Sequence, residues 1–97
     1  MRLTPNQAET IRNAAQEVFG PNTRVMLFGS RVDDRKRGGD IDLLIQPEAA
    51  DNALARKIRF LGILERELGE RKIDVVIEYP EDSRAIVRVA HEMGVAL

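Results

Sequence analysis

Apolar residues in the first twenty positions fall at Ile11, Ala14, Ala15, Val18 and Phe19, a spacing that gathers them on one side of a helix. Thr4-Pro5-Asn6-Gln7 in front supplies an N-cap hydroxyl, a proline at the first helical position and a glutamine able to reach back to the cap; Gly20-Pro21 ends the run. The pattern then shortens. Residues 23–28 are mostly apolar and closed by Gly29-Ser30, which predicts a buried strand. A polar stretch from Arg31 to Gly39 predicts an exposed connection to a neighbouring second strand over 40–46, which Pro47 stops. Asp51 is placed to cap a second helix with Leu54, Ile58, Leu61, Leu64/Glu65 and Leu68 along one side, and with Phe60 and Ile63 beside that stripe as a wider core face or, alternatively, a contact with another chain. Residues 72–79 predict a third strand closed by Pro80, and Ser83 is placed to cap a last helix carrying Ile86, Val89, Ala90 and Met93. The order is αβ(loop)βαβα, without internal repeat: a small α/β (α+β) layer of three strands in which at least one sheet face must be covered.

Composition narrows the functional classes. The chain has 97 residues, 43% hydrophobic and 32% charged, which suits one globular domain over residues 1–97. It has no cysteine, so disulfides, thiolate metal sites and thiol nucleophiles are excluded. Fifteen basic against 16 acidic residues and only 4% aromatics supply neither a basic field nor stacking platforms, so direct nucleic-acid binding is not expected. The N-terminus turns polar at once and no window approaches the roughly 18 apolar residues of a spanning helix, so the chain is expected to be cytoplasmic and independent of membranes. The single histidine, His91, is expected to be a surface or half-buried residue without a catalytic part, so a divalent cation would have to be held by carboxylates.

The carboxylates are patterned. In an extended strand, residues i and i+2 share a face at about 6.5 to 7 Å. Asp40 and Asp42 therefore project together while Ile41, Leu43 and Ile45 point into the core. Two anions so close repel unless a cation lies between them, and a hard divalent ion is the natural partner. In the third strand Ile73, Val75 and Ile77 alternate with Asp74, Val76 and Glu78, so Asp74 can join the pair if the strands are adjacent. Three carboxylates would then hold one or two Mg²⁺ with positions left for water and substrate phosphates, the arrangement of metal-assisted phosphoryl or nucleotidyl transfer. Gly29-Ser30 offers a backbone without Cβ obstruction and a hydroxyl to phosphate oxygens, and Arg31, Arg35, Lys36 and Arg37 offer positive charge to a triphosphate.

These residues resemble a known family. Leu27-Phe28-Gly29-Ser30, a basic loop, then Gly39-Asp40-Ile41-Asp42-Leu43-Leu44-Ile45 is similar to the Gly-Ser…Asp-x-Asp signature of minimal nucleotidyltransferase (MNT) domains in the DNA polymerase β-like superfamily, and Asp74 falls where that family has its third carboxylate. Val32-Asp33-Asp34 stands where an Ala-Arg-Gly run is common. The resemblance implies a three-stranded mixed sheet with helices packed on one face. It implies nucleotide binding by Gly29, Ser30, Arg31 and Arg37, metal binding by Asp40, Asp42 and Asp74, and activation of an attacking hydroxyl by Asp74. It also implies Mg²⁺ as cofactor, ATP as the nucleoside triphosphate, and transfer of a nucleoside monophosphate to a hydroxyl with release of pyrophosphate. In many minimal members the acceptor is a tyrosine of a helical HEPN ribonuclease toxin, which the MNT protein neutralises as antitoxin by AMPylation. The alternative is a nucleotide-binding or toxin-masking subunit without turnover. Oligomeric state is left open.

Overall fold

The computed structural model describes residues 3–29 and 40–97. Along the chain these form α1 (Pro5–Phe19), β1 (Arg24–Phe28), β2 (Ile41–Gln46), α2 (Ala53–Leu68), β3 (Ile73–Ile77), α3 (Ala85–Met93) and β4 (Val95–Ala96). The expected capping box is present on α1: the Gln7 amide donates to Thr4 Oγ1 at 3.1 Å, and the Thr4 amide donates to Gln7 Oε1 at 2.9 Å. The other two helices start differently from expectation. Asn52, in the left-handed conformation, precedes α2 without a side-chain cap, while Asp51 instead accepts from the Arg56 guanidinium. Arg84, not Ser83, is the N-cap residue of α3, and the carboxylate that accepts its amide belongs to Asp82.

The sheet order is β3-β2-β1-β4, with β2 and β3 parallel and the other pairs antiparallel. It has four strands rather than three, since Val95–Ala96 pairs with Met26 and Leu27 of β1. Two residues are too few to leave a periodic trace in the sequence. One face is covered as expected. Ile41, Leu43 and Ile45 of β2 and Val75 and Ile77 of β3 join Ile11, Ala15, Val18 and Phe19 of α1 and Phe60 and Leu64 of α2. Phe19 and Phe60 meet edge to face at 5.8 Å, locking the two helices over the sheet.

The second face is not left bare. Val87 and Ala90 of α3 are buried against Phe28 of β1 and Leu44 of β2, with Met26 and Val76 alongside. Helices therefore lie on both faces, because Leu44, Met26 and Val76 break the polar pattern on the side opposite the main core. Within α2 the buried side is centred on Phe60 and Leu64, while Leu54 and Ile58 are 72% and 62% exposed. Ile63, Leu61 and Leu68 pack partly against the core. Arg56 fixes this rotation by donating to the Val18 carbonyl, and Arg59 pairs with Glu17 at 3.0 Å, so one side of α2 is turned to α1.

Candidate active site

Alternation puts Asp42 on the side of β2 opposite its three fully buried neighbours Ile41, Leu43 and Ile45, and Asp74 on the corresponding side of β3. Parallel pairing sets Asp42 directly beside Asp74 in register, at the strand spacing of about 4.8 Å. The start of β2 is anchored to β3 by the Ile41 amide donating to the Lys72 carbonyl at 3.0 Å. Asp40 stands one residue upstream of β2 and is half-buried, whereas Asp74 is exposed.

From the other flank, Phe28 of β1 is the register partner of Asp42, and Gly29 follows it. Gly29 has φ +72°, and a Cβ built there would overlap Asp42 Oδ2 and lie 3.0 Å from its Cγ. Glycine is needed here twice over, for the left-handed backbone and for the space that the carboxylate fills. The expected phosphate-binding glycine is thus also the surface against which a site carboxylate rests.

Of the remaining expected site residues, Ser30, Arg31 and Arg37 lie outside the described residues, as do Arg35 and Lys36. Among the described residues no group of three histidine, aspartate or glutamate side chains forms a set that could hold a metal ion by itself. What is assembled is the Asp42–Asp74 pair, with Asp40 two positions before Asp42. Its donor chemistry suits Mg²⁺, a cation that binds through one or two carboxylates and completes its octahedron with water and substrate phosphates.

Further along the same face lies a cluster the sequence pattern did not single out. Glu78 Oε1 is 2.7 Å from His91 Nε2 and accepts from Gln46 Nε2 at 3.2 Å, tying β2, β3 and α3 together. His91 is in this way a half-exposed structural residue, its side chain 43% accessible. Beyond the strand end, Asp82 accepts from the amides of Tyr79 and Arg84 and from the Arg84 guanidinium, with Arg84 Nη2 at 2.7 Å. The Arg84 hydrogen bonds hold the Asp82 carboxyl well below the usual carboxylate range, and Asp82 in turn raises Arg84. Arg84 also lies 5.8 Å over the ring of Tyr79, which follows the strand and is exposed.

α3 divides this face in two. Its buried residues cover Phe28, Leu44 and Val76, and among the described residues no helix lies over Asp42, Asp74 and Gly29. The donor chemistry of the Asp42–Asp74 pair suits a cation-carrying polyphosphate. No helix among the described residues is long and apolar enough to cross a membrane. No individual curated protein matches the chain at significance. A family profile described as a nucleotidyltransferase domain matches residues 8–97, nearly the whole length and every element described above. With the profile, the mixed sheet and the Gly29–Asp42–Asp74 arrangement in agreement, the chain belongs to the nucleotidyltransferase domain family and has the polymerase β-like fold.

Proposed function

We propose that the chain transfers AMP from ATP to a protein hydroxyl, a tyrosine on a helical HEPN-type toxin, and that this modification is its action as an antitoxin. The observation carrying the reading is the pairing of Asp42 with Asp74 in register beside a glycine that admits no side chain. Asp40 and Asp42 would hold Mg²⁺ and Asp74 would share it; when bound, the ion neutralises charge on the phosphates and on the departing pyrophosphate.

The chain's own part follows from placement. Asp74 is the most exposed of the three, and its side chain stands on the sheet face, where an incoming acceptor can approach whether or not the strand edge is paired. Its carboxylate takes the hydroxyl proton as the oxygen bonds to the α-phosphorus and the bond to the pyrophosphate oxygen breaks; the proton then passes to solvent. Gly29 keeps the nucleotide's approach clear by leaving Asp42 its position. Gly29 with Ser30 would receive phosphate oxygens, with Arg31 and Arg37 adding charge-assisted contacts.

The test is to mix purified protein with α-labelled ATP, Mg²⁺ and the product of the neighbouring gene. Label should move to that partner, and Asp74→Asn should slow transfer by about 10²- to 10⁴-fold, the usual contribution of a positioned general base. An unlabelled partner, or full activity in Asp74→Asn, rejects this reading.

A further inference from the structure

The sheet has two unlike edges. One is β4, only two residues long; the other is β3, five residues long. The Ile41 amide donates to the Lys72 carbonyl and the Glu78 amide donates to the Ile45 carbonyl, so even-numbered residues of this strand turn their backbone groups toward β2. Those of Ile73, Val75 and Ile77 consequently face outward. Among the described residues the only group bonded to this row is Arg84, which donates to the Ile77 carbonyl at 2.6 Å.

Alongside this edge runs an apolar stripe. Leu54, Ile58 and Leu61 follow one another at i, i+4 and i+7 on α2, and Arg56 and Arg59 turn the opposite side of the helix to α1. Leu54 and Lys57 line a cleft with Val75, Ile77 and Tyr79 at one end of β3; Leu61 lines another with Arg71 and Ile73 at the other end. Ile58 lies midway along the stripe, as Val75 lies midway along the strand.

We propose that two copies of the chain associate through this edge, their β3 strands paired antiparallel about a two-fold axis at Val75. The strand is complementary to itself in that register. Val75 meets the second copy's Val75, Ile73 meets its Ile77, and Lys72 stands directly opposite its Glu78 on the carboxylate face, twice by symmetry. Glu78 already uses Oε1 for His91 and Gln46, so its charge is held at this end of the strand. On the other face the α2 helices run antiparallel, Ile58 against the second copy's Ile58 and Leu54 against its Leu61. Helices lying over strand pairs on either side of a new seam are two strand spacings apart, about 9.6 Å, within the 8–10 Å of packed helices. A carbonyl oxygen accepts two hydrogen bonds, so the Arg84 contact at Ile77 marks the end of the seam without closing it.

Sedimentation velocity from micromolar to the highest soluble concentration tests the proposal, with circular dichroism confirming that each variant is folded. The wild-type chain should sediment at twice its 10.9 kDa. Ile58→Glu, at an exposed position, should weaken association at least tenfold, as should Lys72→Glu or Glu78→Lys alone. An equimolar mixture of Lys72→Glu and Glu78→Lys chains should dimerise again, because both cross-strand pairs then join opposite charges. A wild-type chain that stays monomeric, a dimer indifferent to Ile58→Glu and Lys72→Glu, or a charge-swapped mixture that stays monomeric would overturn it; the stripe would then serve a different protein or none. These outcomes are independent of whether the chain transfers nucleotides.

Discussion

A methyl group at Gly29 would carry two separate penalties. The backbone there has φ +72°, where an L side chain costs roughly 1 kcal/mol, and the new carbon would displace the Asp42 carboxylate. The first affects stability, whereas the second affects the site. Gly29→Ala should accordingly lower stability by about 1 to 2 kcal/mol in urea unfolding and cut nucleotidyl transfer by a much larger factor than that loss explains at temperatures where the variant is folded. Equal activity per folded molecule would show that Asp42 has room to move. This residue also shows how far the sequence could be read. Asp42 and Asp74 were legible because strand alternation is strict and each is flanked by apolar residues, so their face follows from counting in twos. The contact between Gly29 and Asp42 was not legible, since it depends on the antiparallel register of β1 with β2, which alternation alone leaves undetermined.

At the scale of elements, the errors fall where apolar residues exceed what one face can bury. Helix α2 carries Leu54, Ile58, Leu61, Leu64 and Leu68 as one acceptable stripe and Phe60, Ile63 and Leu64 as another. At about 100° per residue the exposed Leu54 and Ile58 lie some 80 to 160° around the helix from Phe60 and Leu64. Sequence spacing cannot choose between them; the Phe19–Phe60 contact and the Arg56 bond to Val18 do. The turn from β3 into α3 makes a similar point, because Ser83 has the composition of a cap yet Asp82 has the geometry. Its carboxyl is depressed below the ordinary range by Arg84, so it favours the folded state above the unfolded value of about 3.9. That contribution fades as pH falls from about 4 through the lower folded value. Asp82→Ala should therefore lower stability at neutral pH and differ progressively less from wild type below pH 4, measured by urea unfolding across pH 2 to 7. A difference that persists unchanged at pH 2 would mean that packing, not the ionised carboxylate, carries the effect.

For the whole molecule, what matters is that a fold built to bury one sheet face twice uses the other for two purposes. Helix α3 closes over Phe28, Leu44 and Val76, while Asp42 and Asp74 stand side by side in register on the same face. Like charges directly opposite on neighbouring strands repel, by a few tenths to about 1 kcal/mol, and the Asp42–Asp74 register sets two of them side by side. Removing one charge should show it. In low-salt buffer without divalent ions, Asp74→Asn should unfold at higher urea than wild type by up to about 1 kcal/mol. Adding Mg²⁺ and ATP should reverse the order, since a ligand at 100 times its dissociation constant stabilises the protein that binds it by about 2.7 kcal/mol, and the variant should gain far less. If Asp74→Asn is instead the less stable protein in metal-free buffer, the carboxylate is held by contacts that favour folding, and the opposed pair is a structural feature with no bearing on a cation.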